Sequence, residues 1–122
     1  MRLASEQEVM NVVSHPDIWP RIIGNLDIKP EEFSPPDTWL YMTETGKEIL
    51  ILQPNGYIHP NFLPEVRHTA FYVIRRWLKM IKLPKVYAKI HCKHEGAIDL
   101  ARLIGFREVD NKENTYFFEL TL

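Results

Sequence analysis

The feature that most restricts this chain is a double change of apolar period in its second half. From Pro64 onward, Val66, Ala70, Val73, Ile74, Trp77, Leu78 and Ile81 recur at three and four residues, the spacing of one helical face about 16 residues long. From Lys85 to Cys92 the period drops to two, with Val86, Ala88, Ile90 and Cys92 on one side and Lys85, Tyr87, Lys89 and His91 on the other. Ahead of the helix, Tyr57, Ile58 and His59 follow the turn Pro54-Asn55-Gly56 and begin a strand that Pro60 is expected to stop. The order strand, helix, strand predicts a crossover in which strand 57–60 runs parallel to strand 85–92, joined by a helix over 65–81.

The remaining elements fit around that crossover. Ser5 followed by Glu8 is a capping-box pattern, and Val9, Val12 and Val13 then share one face, which predicts a helix over 6–14 ended by His15-Pro16. Trp19, Ile22 and Ile23 suggest a second short helical turn before a connection rich in proline, through Pro30, Pro35 and Pro36. Thr38–Thr43 and Glu48–Gln53 are rich in strand formers, and Glu44-Thr45-Gly46-Lys47 between them suits a hairpin turn. Ala97, Leu100, Ala101 and Ile104 make a second amphipathic helix with Gly105 as its left-handed cap, and Thr115 to Leu120 forms a last strand. The expected architecture is a single domain over residues 1–122 of α+β (α/β-like) class. Its mixed sheet contains an antiparallel hairpin and one parallel strand-helix-strand crossover, with helices on both faces.

Composition narrows what such a domain does. At 122 residues, 45% of them hydrophobic and 25% charged, the chain has material for one core and for no second one. Its net charge of −1 excludes a wholly basic nucleic-acid binder and a disordered acidic tail. The charge is nevertheless uneven: residues 1–48 carry nine acidic and four basic side chains, whereas residues 66–93 carry eight basic ones and no Asp or Glu. That middle segment reads either as the solvated faces of a helix and a strand or as a surface that attracts anions. Arg75, Arg76, Lys79 and Lys82 could touch nucleic-acid phosphates, but sequence-specific nucleic-acid recognition is not expected. Trp39, Tyr41 and Trp77 read as core residues rather than as a base-stacking platform.

The single Cys92 excludes an intramolecular disulfide and suits a reducing compartment. It falls on the apolar side of its strand and is expected to be a buried, inert thiol. His91, Cys92 and His94 are close in sequence, yet on a strand His91 and Cys92 point to opposite faces and no second Cys completes a ligand set, so no metal is expected. Apolar runs such as Ile49 to Leu52 are far too short for a membrane span, and the expected location is the cytoplasm or a particle assembled there.

The segment from Lys93-His94-Glu95-Gly96-Ala97 to Ile104-Gly105-Phe106 resembles the GCN5-related N-acetyltransferases (GNATs). In that family an Asn, three residues before an Ala, opens a helix that ends in Gly-Phe. The matching positions here are His94, Ala97, Gly105 and Phe106. Upstream, His59-Pro60 through Leu63-Pro64-Glu65-Val66-Arg67-His68-Thr69-Ala70 looks like the family's strand end and pyrophosphate loop. Glu65 stands where the family has Gln or Arg, His68 where it has its first Gly, and Ala70 fits the last position. The small, degenerate form is most similar to GNAT-like proteins encoded by tailed bacteriophages.

The resemblance implies an acetyl-coenzyme A site. The pyrophosphate would lie at the backbone of Val66, Arg67, His68, Thr69 and Ala70, and the adenine side toward His94 and Arg102. The pantetheine arm would run between the splayed strands at 57–60 and 86–91. A backbone N–H of the strand before the loop would stabilise the oxyanion, Ile58 of that strand would bind the cofactor, and His59 would be the catalytic base. The Tyr that many members use as acid for the thiolate is replaced by Ala101, with Tyr87 or Tyr116 as neighbouring substitutes. Two functions follow: an acetyl-coenzyme A-dependent N-acyltransferase of weak or lost activity on an unknown amine acceptor, or a catalytically inactive GNAT-fold structural or assembly protein with bacteriophage virion proteins as partners. In the second case the protein would sit in host cytoplasm or in the virion.

Overall fold

A computed structural model describes residues 1–23 and 26–122. The chain starts with a two-residue strand, β1 (Arg2–Leu3), and a helix, α1 (Glu6–Val13). The capping box is formed: the Ser5 hydroxyl accepts the Glu8 N–H at 3.2 Å, and the Glu8 carboxylate accepts the Ser5 N–H at 2.9 Å. Arg2 clamps the same carboxylate at 2.6 Å, tying the strand to the helix start. A short α2 (Trp19–Ile23) follows, and then β2 (Leu40–Thr43), β3 (Glu48–Leu52) and β4 (Ile58–Phe62). These strands form one antiparallel sheet in the order β1-β2-β3-β4.

Burial on both faces explains the apolar run in β3. Ile49 and Ile51 pack on one side against Val9, Val12 and Val13 of α1 together with Ile18. Leu50 points to the other side, into the core built by Val73, Ile74, Trp77 and Leu78 of α3 (Ala70–Met80). The β2–β3 turn is held by Glu48, which is fully buried. Its Oε1 accepts the Thr43 hydroxyl at 2.8 Å and the Glu44 and Thr45 N–H groups at 2.8 and 2.7 Å, while the Thr45 hydroxyl reaches Oε2 at 3.0 Å. Burial works to raise the pKa of this carboxyl, and the hydrogen bonds from Thr45, Thr43 and Glu44 bring it below the ordinary value.

After α3 come β5 (Lys85–His91), α4 (Glu95–Ile104), β6 (Arg107–Lys112) and β7 (Thr115–Thr121). They form a second antiparallel sheet in the order β5-β7-β6. Val86, Ala88 and Phe118 of this sheet join Ile98 and Ala101 of α4 in the core around α3. Helices therefore cover both faces of the assembly, as expected, although α1 covers only the first sheet. Gly105 ends α4 with φ +119°, a left-handed cap, and its N–H returns to the carbonyls of Ala101 and Arg102.

Several details depart from the sequence expectation. The parallel relation between the third strand and β5 is present, but it is confined to one bridge, Tyr57 to Tyr87, and otherwise the molecule has two antiparallel sheets meeting at that point. Pro60 does not stop β4, which continues to Phe62 opposite Glu48. β4 is an edge strand, and an edge strand needs N–H groups on one side only. The crossover helix begins at Ala70 and not at Glu65, because Pro64–Thr69 winds as a 3-10 helix. β1 and β6 were not anticipated. β6 is exposed along its whole length and so carries no alternation to read. Cys92 is exposed, since β5 ends at His91 and the thiol falls on the following turn.

Candidate functional site

Hydrogen-bond parity shows what faces the gap between the sheets. Gln53 N–H donates to the Tyr57 carbonyl at 2.9 Å and Leu63 N–H to the Lys47 carbonyl at 3.0 Å. In an antiparallel ladder, pairs of the same parity bond alike, so Tyr57, His59 and Asn61 turn their backbone polar groups toward β3. Ile58, Pro60 and Phe62 turn theirs toward β5. On β5, Leu122 N–H bonds the Pro84 carbonyl and Cys92 N–H bonds the Asn114 carbonyl, at 2.9 and 2.7 Å, so even-numbered residues face β7. Tyr87, Lys89 and His91 face β4. At the vertex the Tyr87 N–H donates to the Gly56 carbonyl at 2.9 Å. Beyond it, among the described residues, no pairing joins the two strands. The result is a V-shaped gap lined, among the described residues, by unpaired sheet-edge groups, the carbonyl of Pro60 on one side and the N–H and carbonyl of Lys89 and the N–H of His91 on the other, while the His91 carbonyl is taken by the His94 N–H at 3.0 Å. Pro60 offers no donor to it.

Gly56 is needed at this vertex. Its φ is +87°, and a Cβ there would lie 3.2 Å from the Tyr87 ring. The Tyr57 and Tyr87 rings pack at 5.6 Å, and the Lys89 ammonium lies 5.8 Å from the centre of the Tyr57 ring. Alternation puts the side chains of Tyr57, His59, Tyr87, Lys89 and His91 on one face, opposite the core around α3.

His59 stands at the mouth of the gap, half-buried, across β4 from Ile51. Its Nε2 is enclosed and has no hydrogen-bond partner among the described residues. An imidazolium requires an acceptor for each N–H, and burial, assisted by the charge of Lys89, lowers the His59 pKa below the ordinary histidine value. The ring is therefore neutral at pH 7. Because Nε2 is enclosed, a proton from outside reaches the ring at Nδ1 or after a rotation that uncovers Nε2.

The other residues singled out in the sequence are distributed as follows. Ile58 lies beside the vertex bridge. Val66 to Ala70 form the end of the 3-10 helix and the start of α3, and the N–H groups of Val66 and Ala70 already bond the Leu63 and Arg67 carbonyls. Arg67 is paired with Asp17 at 3.4 Å, and its Nε reaches the Phe62 carbonyl. His68 is exposed, and the Thr69 hydroxyl donates to the Val66 carbonyl at 2.6 Å. His94 begins α4, 6.3 Å from the His91 ring, and its pKa is lowered by burial and by the charges of Arg21, Lys93 and His91. Arg102 lies eight residues further along α4, about 12 Å by helix rise. It pairs with Glu108 at 3.2 Å over the ring of Tyr116, so His94 and Arg102 are not brought together.

Ala101 is buried in the core, so no side chain from that position reaches the gap. Tyr87, at the vertex, is the nearer of the two tyrosines proposed to replace it. Among the described residues no group of His, Cys, Asp and Glu has the arrangement of a metal site, and no helix is long and apolar enough to cross a membrane. Sequence reasoning missed Arg21 of α2, whose positive charge helps lower the His94 pKa from a different element and left no local signal. It also missed Glu119, which register places beside Tyr87.

No protein-family model matches the chain, and no curated protein does. Solved structures do. A domain from Methanocaldococcus jannaschii DSM 2661 aligns with TM-score 0.67 at 18% identity, over 99% of this chain and 96% of that one. The Campylobacter jejuni N-acetyltransferase PseH, in complex with acetyl coenzyme A, aligns with TM-score 0.62 at 11% identity, over 70% of each chain. A spermidine N-acetyltransferase SpeG chimera from Vibrio cholerae and hSSAT aligns with TM-score 0.64 at 11% identity, over 98% of this chain and 95% of that one. At these identities the likeness shows the fold, which is that of the GNAT acetyltransferases.

Proposed function

We propose that the gap between β4 and β5 holds the acyl arm of acetyl-coenzyme A and that the protein transfers the acyl group to an amine. The observation that carries this reading is the V itself. Two sheet edges leave the vertex with the Pro60 carbonyl, the Lys89 N–H and carbonyl and the His91 N–H unpaired among the described residues, and an arm containing amides can pair with both edges. The same gap lies in a fold shared with a neighbour solved in complex with acetyl coenzyme A. The fit is less complete at the loop: with Val66 and Ala70 N–H groups already bonded, the phosphates would be met chiefly by the side chains of Arg67 and His68.

The coenzyme supplies an activated acyl carbonyl on a thioester. His59, neutral near pH 7, takes the proton that the amine must lose as its nitrogen forms the new C–N bond. The C–S bond breaks, and the departing thiolate takes a proton from Tyr87 or from water. A thiol-release assay over a panel of amines tests the proposal. The expected outcome is turnover that falls by about a hundredfold or more in His59→Ala while coenzyme affinity is kept. Binding without turnover on any amine would favour the second reading, a GNAT-fold protein without catalysis that serves as a bacteriophage virion component. That reading is supported by the buried Ala101 and by the closed 3-10 loop.

A further inference from the structure

The side of the gap that carries His59 is cationic, and the cation nearest the vertex, Lys89, has no carboxylate partner among the described residues. Arg2, Arg67, Arg76, Lys85, Arg102, Arg107 and Lys112 each have a carboxylate within 4.0 Å, whereas among the described residues Arg21, Lys89 and Lys93 have none; Lys29, Lys47, Arg75, Lys79 and Lys82 also have none, but only Lys89 lies over the Tyr57 ring at the vertex. Acidic side chains on this face of the second sheet are already used. Glu119 is held by Arg107 at 2.6 Å and by Lys85 at 3.7 Å, and Asp110, opposite Phe117, is paired with Lys112 at 3.8 Å. The charges felt by His59 and His94 are all positive. Lys89 lies over Tyr57 at the vertex, and His91 and His94 face each other at 6.3 Å, so the unpaired charge borders the mouth of the gap.

We propose that this face selects an amine carried on an anionic molecule, one bearing a phosphate or a carboxylate, and rejects a polycation such as spermidine. The inference rests on the coenzyme lying between β4 and β5, which makes this face the acceptor side. An anion here gains charge-assisted hydrogen bonds from groups that have no competing carboxylate, while each added positive charge on the ligand meets like charge.

The test compares probes differing in one group: O-phosphoethanolamine, β-alanine, ethanolamine and spermidine, titrated against the full chain and followed by the imidazole resonances of His59, His91 and His94. O-Phosphoethanolamine or β-alanine should bind at least about tenfold more tightly than ethanolamine, with spermidine weakest. Lys89→Gln should remove most of that preference, whereas Lys85→Gln, on the same face but paired with Glu119, should leave it. The preference should shrink as salt is raised. Equal affinity for ethanolamine and O-phosphoethanolamine, or preferred binding of spermidine, overturns the proposal. A second arm repeats the titration with saturating coenzyme A. Retained binding supports an acceptor site, and displacement would show that these cations serve the coenzyme's own phosphates, which also overturns it. Failure of coenzyme A to bind at all, with anion selectivity intact, refutes the coenzyme reading and leaves the anion site.

Discussion

β3 lies inside the first sheet and β5 at the edge of the second, and the two are covered differently. β3 is closed by α1 on one side and α3 on the other, and Glu48 through Ile51 are all buried. β5 meets the core only through Val86, Ala88 and Ile90, and it leaves Lys85, Tyr87, Lys89 and His91 on an open face. The difference teaches where stability and function separate. The first sheet is fastened on both faces and by a buried carboxylate network, whereas the second keeps one face free, and that is the face on which Lys89 has no carboxylate partner among the described residues.

The largest test of this contrast is a pair of alanine substitutions. Ile49→Ala opens a cavity in a fully buried position and should cost about 2–5 kcal/mol. Lys89→Ala, on the open face of β5, should stay within about 0.5 kcal/mol of the parent. Urea unfolding of both variants measures the contrast, and similar losses would remove it. Next in size, Glu48→Gln leaves some of the Thr43, Glu44 and Thr45 donors poorly matched and should cost about 1–3 kcal/mol. The folded pKa of Glu48 is lowered, so its contribution is complete above the ordinary carboxylate range and is lost as pH falls through the folded value. An acid unfolding midpoint unchanged by Glu48→Gln would contradict this.

The same contrast decides what could be read in the sequence. The alternation of Lys85 to Cys92 was legible because one face of β5 is wet, and the helix over 70–80 was legible because one stripe is buried. β3 gave a continuous apolar run, which marks a strand buried on both faces. β6 gave nothing, because it is exposed throughout and carries no alternation, and it pairs with β7 around a turn with Glu113 and Asn114 at φ +53° and +60°. Local periodicity ended one residue too late at Cys92, where the backbone leaves the strand. The V was legible only as a resemblance. Its vertex depends on a bridge between residues 57 and 87, and its charge on Arg21, and neither is encoded in any short window.

Smaller effects sharpen the picture at the vertex. Gly56→Ala would force a Cβ into the left-handed region and toward the Tyr87 ring, with an expected loss of about 1–3 kcal/mol. Faster amide exchange of Tyr87, whose N–H bonds the Gly56 carbonyl, would report it. Smaller still is the effect of His59. Its folded pKa is lowered, so as pH falls below the ordinary histidine range the unfolded chain binds the proton first and the folded state loses stability. Denaturation between about pH 5 and 8, the range in which histidine titrates, should show a weaker pH dependence in His59→Asn than in the parent. Identical profiles would show that the ring is not held neutral by the fold.

The most direct test of the central claim is an amide-resolved titration of the full chain with acetyl-coenzyme A. Shifts concentrated at Ile58 to Phe62 of β4 and at Lys89 to His91 of β5, with smaller ones at Arg67 and His68, are the predicted result. Shifts confined to the basic helix face at Arg75, Lys79 and Lys82, with the two strand edges unmoved, would show that the coenzyme meets only surface charge and that the gap between the sheets is not its site.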